Sequence, residues 1–118
     1  MLNLKRKSVN KAARGKGAKA EILLANQLTA QGYEVRRTHL SAFPDIIAWN
    51  IDSVLMIEVK SRSSPKTIKP AVNMFVHSVK ELSTLCNHAI LLCYVLHDNQ
   101  WHAYQWVDDA VTETQAMV

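Results

Sequence analysis

The chain has 118 residues, nearly half of them apolar and only three of them glycine. That length suits one domain with a real core and is too short for two. No apolar run approaches the ~20 residues that span a bilayer, and the basic N-terminus has no apolar stretch behind it, which argues against a secretory signal. The expectation is a chain with no membrane association, in the cytoplasm.

Charge is unevenly spread beneath a net +4. Seven of the fourteen basic residues (Lys5, Arg6, Lys7, Lys11, Arg14, Lys16, Lys19) precede the first acid, Glu21, whereas residues 81–118 carry five acids and no Lys or Arg. A basic front end suits a polyanion such as DNA, and a solvated tail is the plainer alternative. Residues 1–14 read as a flexible arm and 15–118 as a single domain.

Lys16 to Gln31 has helical spacing, with Ala18, Leu24, Ala25 and Leu28 on one stripe and Gly32 where a left-handed cap ends a helix. Glu21 falls inside that stripe, where a carboxylate is costly without a partner. Tyr33 to Arg37 alternates as a first strand, and Thr38 to Phe43 is a loop.

Pro44 cannot donate to a ladder, so it opens a second strand, Asp45 to Trp49. Asn50 to Ser53 is a turn, and Val54 to Lys60 returns. With an even-numbered loop the paired residue numbers sum to 103, which sets Asp45 directly opposite Glu58. Like charges so placed are destabilising unless something neutralises them, as a divalent cation does. Alternation puts Lys60 on the face of Glu58. Each of the three taken alone fits an ordinary strand-end charge; together, with a derivable register, they form a candidate site. Their neighbours are apolar on both faces, as in strands covered on both sides.

Ser61 to Lys69 is a polar, basic connection. Pro70 stands in the first turn of a second helix, whose Val72, Phe75, Val76, Val79, Leu82 and Cys86 repeat at helical spacing. Ala89 to Leu96 reads as a strand, His97 to Gln100 as a turn and Trp101 to Val107 as a last strand. The final eleven residues show no clear pattern. The order αβββαββ implies an α/β fold, a mixed sheet of about five strands with a helix on each face. Phe75, Val79, Leu82, Trp101 and Trp106 are an apolar surplus suited either to the core or to a dimer face. Cys86 and Cys93 lack CxxC spacing and the histidines lack metal spacing, so buried free thiols are expected and zinc is not.

Two facing carboxylates beside a lysine, near a basic arm, suit metal-assisted attack on a phosphodiester. The spacing Pro44-Asp45, twelve residues, Glu58-Val59-Lys60 resembles the PD-(D/E)xK nucleases. More narrowly, Arg14 to Glu21, GYEVRRTHLSAFPDIIAW and IEVKSR resemble the archaeal-type Holliday junction resolvases. The likeness spans about residues 12–107 and is specific over 14–62. It implies a restriction-endonuclease-like core, Mg²⁺ (with Mn²⁺ substituting) supported by Glu21, Asp45, Glu58 and the Val59 carbonyl, and Lys60 completing the site. It also implies a loop serine, here Ser41, and a homodimer that cuts a four-way junction in pairs. Arg36, Arg37, Arg62, Lys66 and Lys69 join the seven N-terminal basic residues as candidate contacts to branched or double-stranded DNA. Between Arg37 and Asp45 this chain has no Lys or Arg, a departure from the family's basic loop. The alternatives are a nuclease of the same scaffold acting on flaps, nicked or foreign DNA, and a non-catalytic basic DNA-binding module.

Overall fold

The computed structural model describes residues 4–40, 42–82 and 88–118, and the side chains of residues 4–16 are not among what it describes. In chain order the elements are α1 (Leu4–Ala30), β1 (Glu34–Arg37), β2 (Ile46–Trp49), β3 (Val54–Ser61), a short 3-10 turn (Pro65–Thr67), α2 (Ile68–Leu82), β4 (Ile90–His97), β5 (Gln100–Val107) and β6 (Ala110–Thr114). The six strands lie side by side in chain order, and every neighbouring pair is antiparallel except β3–β4. That parallel step requires a crossover, and α2 is the element between the two strands.

The first helix begins at Leu4, well before the expected Lys16, and so takes in the stretch read as an arm. Its opening turns, rich in Lys, Arg and Ala, have good intrinsic helix propensity but no apolar stripe, so periodicity alone does not find them. The helix ends as its sequence dictates. Gly32 takes φ +96°, its N–H donates to the Thr29 carbonyl at 3.0 Å, and the Tyr33 N–H reaches back to the Leu28 carbonyl at 3.2 Å. Those two bonds satisfy carbonyls that the helix leaves orphaned, in a geometry that L side chains adopt rarely.

The hairpin register matches expectation: Ile46 faces Ile57 and Trp49 faces Val54, pairs that sum to 103. Its turn is held by Asn50, whose N–H donates to the Ser53 carbonyl at 3.0 Å while its Oδ1 accepts from the Asp52 and Ser53 N–H groups at 2.8 and 2.9 Å.

A sixth strand, β6, corrects the count of about five. Two tight hairpins build the C-terminal half of the sheet, with Asp98 (φ 52°) and Asn99 (φ 59°) in one turn, Asp108 (φ 51°) and Asp109 (φ 63°) in the other. Two-residue turns with both central φ positive match the right-handed twist of the strands they join, and Asp and Asn tolerate that backbone well.

Each sheet face carries its own core. Ala20, Leu24 and Leu28 of α1 pack on Ile46, Ala48, Leu55, Ile57, Val59, Leu92 and Tyr94. On the other face Val72, Phe75 and Val79 of α2 pack with Phe43, Leu91, Cys93 and Val95. The apolar surplus read from the sequence is absorbed here: Phe75 and Val79 are buried, and Leu82, Trp101 and Trp106 pack against the two clusters. Cys93 is a buried free thiol as expected, and Cys86 lies outside the described residues. Among the described residues, no helix is long and apolar enough to cross a membrane.

Candidate active site

The site forms where β2 begins and β3 ends. Asp45 stands one residue before β2, and its backbone is already held between both neighbouring strands: its carbonyl accepts from the Thr38 N–H at 2.9 Å and its N–H donates to the Ile57 carbonyl at 2.9 Å. Thr38 Oγ1 donates to the Pro44 carbonyl at 2.6 Å, so that carbonyl is engaged on the β1 side. The Val59 N–H, which the ladder register would direct to Pro44, instead donates to Asp45 Oδ2 at 2.8 Å. Here a carboxylate takes the place of a backbone acceptor, which fixes its side chain beside β3.

The ladder pairing ends at Ile46 and Ile57 and the Asp45 N–H turns to the Ile57 carbonyl, yet the Asp45 and Glu58 carboxyl groups lie within hydrogen-bonding reach. Glu58 is the one buried charged residue among those described, at 7% exposure. Burial above all, then the hydrogen bond and charge of Asp45, push its carboxyl up to about 8, against a lowering by Lys60. A proton bridging two carboxyl oxygens is the arrangement adopted by two acids that cannot both ionise in a poorly solvated place. Lys60 Nζ lies 3.9 Å from Glu58 Oε2, on the same face two residues further along β3. Cys93 is paired with Glu58 in the neighbouring strand, and burial, together with the nearby Glu58 carboxylate, raises its thiol to about 12, so it acts as an inert apolar wall.

The other expected residues are distributed around this centre. Glu21 sits on the sheet-facing side of α1, partly buried, where Arg37 Nε donates to its Oε1 at 3.3 Å. The cost of a carboxylate on an apolar stripe is thus met by an arginine from β1. Glu21 is near enough for its charge to raise Glu58 slightly, but among the described residues no group of three His, Cys, Asp or Glu side chains is close enough to hold a metal ion. Ser41 lies outside the described residues, as do the side chains of Lys5, Arg6, Lys7, Lys11, Arg14 and Lys16. Lys19, Arg36, Lys66 and Lys69 are exposed, and Arg62 is half-buried with its Nη1 on the Ser61 carbonyl. Arg37, another of the expected DNA contacts, is half-buried and pairs with Glu21. Sequence reasoning missed Thr38, which pins the loop ahead of Asp45, and the placement of Cys93 against Glu58. The first follows from a hydroxyl directly after a strand; the second has no signal until the β3–β4 pairing is known.

The donors gathered at Asp45 and Glu58 are all oxygen, the chemistry of hard divalent cations such as Mg²⁺ and Mn²⁺. When both acids ionise they set two negative charges against the single positive charge of Lys60, and a divalent cation would offset the excess. The residues present therefore fit a divalent cation.

Comparison with known proteins agrees with this geometry. The family described as archaeal Holliday junction resolvase (Hjc) matches residues 12–89, well over half of the chain. No curated protein matches it. Among solved structures, the Holliday junction resolvase Hjc of Archaeoglobus fulgidus, an archaeal hyperthermophile, aligns with a TM-score of 0.51 at 24% identity, over 75% of this chain and 70% of its own. That likeness bears on the fold, which is restriction-endonuclease-like, with six strands in the mixed sheet and helices on both faces. With the Asp45, Glu58 and Lys60 constellation inside the matched segment, the chain belongs to the archaeal Holliday junction resolvase family, a family of nucleases.

Proposed function

We propose that the chain is a Mg²⁺-dependent endonuclease, with Mn²⁺ able to substitute, that resolves four-way DNA junctions as a homodimer. The observation that carries this reading is the Asp45 carboxyl against the buried Glu58, with Lys60 beside it. Asp45 and Glu58 would hold the cation, Glu21 from α1 and the Val59 carbonyl would add to its ligand set, and Ser41 is the residue that the sequence offers for the family's loop serine. A divalent ion there supplies Lewis-acid polarisation of the phosphoryl oxygen and a more acidic attacking water. Lys60 places a fixed positive charge where negative charge develops on the cleaved phosphate. Asp45 is kept in place by the Val59 N–H, and Arg37 orients Glu21. The basic side chains of α1 bind the phosphate backbone without reading sequence. One chain has one acidic cluster, so paired cuts on opposite strands call for a second copy related by a two-fold axis.

The test is cleavage of end-labelled four-way junction, flap and linear duplex side by side in Mg²⁺, with sedimentation of the protein at micromolar concentration. Symmetric paired nicks in the junction by a dimer are expected. Faster cutting of flaps would assign the other nuclease reading, and binding without any cleavage would assign a DNA-binding module.

A further inference from the structure

Asp45, Glu58 and Lys60 are not alone on their face of the sheet. The ladder places two further rows beside them on the same side: Arg36, Ile47 and Met56, then Glu34, Trp49 and Val54. At about 3.3 Å per residue the last row lies roughly 13 Å from Asp45 along β2. On this face α2 packs chiefly on β4 and β5 among the described residues. In the two rows Glu34, Arg36 and Val54 are exposed, Ile47, Met56 and Trp49 are half-buried, and Ile47 and Trp49 belong to neither core cluster.

Within that strip two side chains are already fitted together. The Arg36 guanidinium lies 5.7 Å from the centre of the Trp49 ring, and its Nη1 donates to the Val35 carbonyl at 2.8 Å, which anchors it there. Arg37 on the opposite face is neutralised by Glu21, whereas Arg36 makes no ion pair with a carboxylate among the described residues. Glu34, across from Trp49, is the one acid in the two outer rows. We propose that Arg36 and Trp49 form a stacking platform for an unpaired nucleobase of the branched DNA, with Arg36 also facing that nucleotide's phosphate. The proposal rests on the nuclease reading above and names a second contact of the same substrate.

An indole paired with a cation suits a base, whose flat π-face stacks whatever its identity and whose backbone is anionic. At 3.4 Å per nucleotide along a duplex, 13 Å is about four base pairs, within reach of DNA whose cut phosphate sits at Asp45 and Glu58. The alternative role, edge strand β1 shielding a stray tryptophan with an arginine, predicts no effect on DNA. A second copy on this strip would have to bury Arg36 and Glu34 with it, and six side chains fall short of the roughly 20–30 residues and ~800 Å² per partner of a stable interface.

The test uses the full chain in EDTA, with a short oligothymidylate, a four-way junction carrying unpaired thymines at the branch, and a linear duplex as probes. Oligothymidylate and the thymine-bearing junction should quench the wild-type tryptophan fluorescence, and Trp49→Phe should keep the affinity while losing most of the quench. Trp101 and Trp106, packed against the cores, should not respond. Trp49→Ala and Arg36→Ala should each weaken binding of those two probes about tenfold or more and leave linear duplex unchanged, while Glu34→Gln should tighten it. Full quenching in Trp49→Phe, or equal losses on duplex, would overturn the platform. So would a Trp49→Ala protein that falls from dimer to monomer, which would give the strip to a second copy. Cleavage of the fully paired junction in Mg²⁺, run alongside, separates the two claims: if wild type cuts and Trp49→Ala binds every probe normally, the platform fails and the nuclease stands. If wild type cuts nothing, the nuclease reading fails whatever Trp49 does.

Discussion

The two faces of β3 do different work. Toward α1 the strand presents Leu55, Ile57 and Val59, all buried among apolar side chains. Toward the other face it presents Met56, Glu58 and Lys60, a half-buried apolar residue followed by a buried acid and its lysine. Because side chains alternate at a period of two, one strand can anchor the core with one set of residues and hold reactive groups rigidly with the other. The chemistry therefore borrows its precision from the packing directly behind it.

The sharpest way to separate the faces is to remove a carboxylate. Asp45→Asn should lower cleavage of a four-way junction at least about a hundredfold. An asparagine Oδ1 can still accept from the Val59 N–H, so thermal stability should change little, and DNA affinity should hold or rise because a repulsive charge has gone. Unchanged cleavage would remove Asp45 from the site.

On the opposite face, Ile57→Ala should cost about 2–5 kcal/mol of stability, because a side chain with no exposed surface leaves a cavity. Cleavage per folded molecule at low temperature should survive much better than the melting temperature. A loss of activity larger than the loss of folded protein would show that the faces are less separable than their packing suggests.

A third expectation concerns pH. Because burial lifts the Glu58 carboxyl to about 8, the folded chain retains a proton that the unfolded chain releases in the ordinary carboxylate range. The stability from this group is full below that range and is lost as pH rises toward and through 8. In EDTA, wild type should therefore melt lower at about pH 8 than at about pH 5, and Glu58→Gln should flatten the part of the slope due to this residue. Identical slopes would mean that Glu58 ionises freely in the fold.

The smallest effect belongs to the N-terminus. Deleting residues 1–13 removes Lys5, Arg6, Lys7 and Lys11. For every phosphate that these side chains neutralise, the deletion should flatten the plot of log affinity against log salt by about 0.9 on duplex DNA. A slope equal to that of the full chain would place those four side chains away from DNA.

Much of this architecture is legible in the amino-acid sequence, and unevenly so. Pro44, the polar turn Asn50 to Ser53 and the apolar runs beside it determine the hairpin register, which brings Asp45 near Glu58, while the Val59 N–H that holds the Asp45 carboxylate is not legible. Gly32 marks the end of α1 because few other residues tolerate its φ. The start of α1 is hidden because residues 4–15 carry propensity without an apolar stripe, and β6 is hidden because Ala-Val-Thr-Glu-Thr is too short and mixed to show a period. The Asp98-Asn99 and Asp108-Asp109 turns, ten residues apart, are the one local clue to that last hairpin. Interactions between distant elements leave no local trace, which is why the pairing of Arg37 with Glu21 is not legible in the sequence. The helical stripe does mark Glu21 as a carboxylate in need of a partner. Which residue supplies that partner is decided only by how β1 packs on α1.

The proposed chemistry depends on Asp45 and Glu58 together holding a divalent cation. The measurement that bears on this with the fewest intervening steps is the melting temperature with and without Mg²⁺ at about pH 8, in wild type and in Glu58→Gln, with no DNA present. An ion that binds only the folded chain stabilises it, so saturating Mg²⁺ should raise the wild-type melting temperature by several degrees and leave Glu58→Gln nearly unmoved. Equal shifts in the two proteins, or no shift in wild type, would contradict a cation held by this pair.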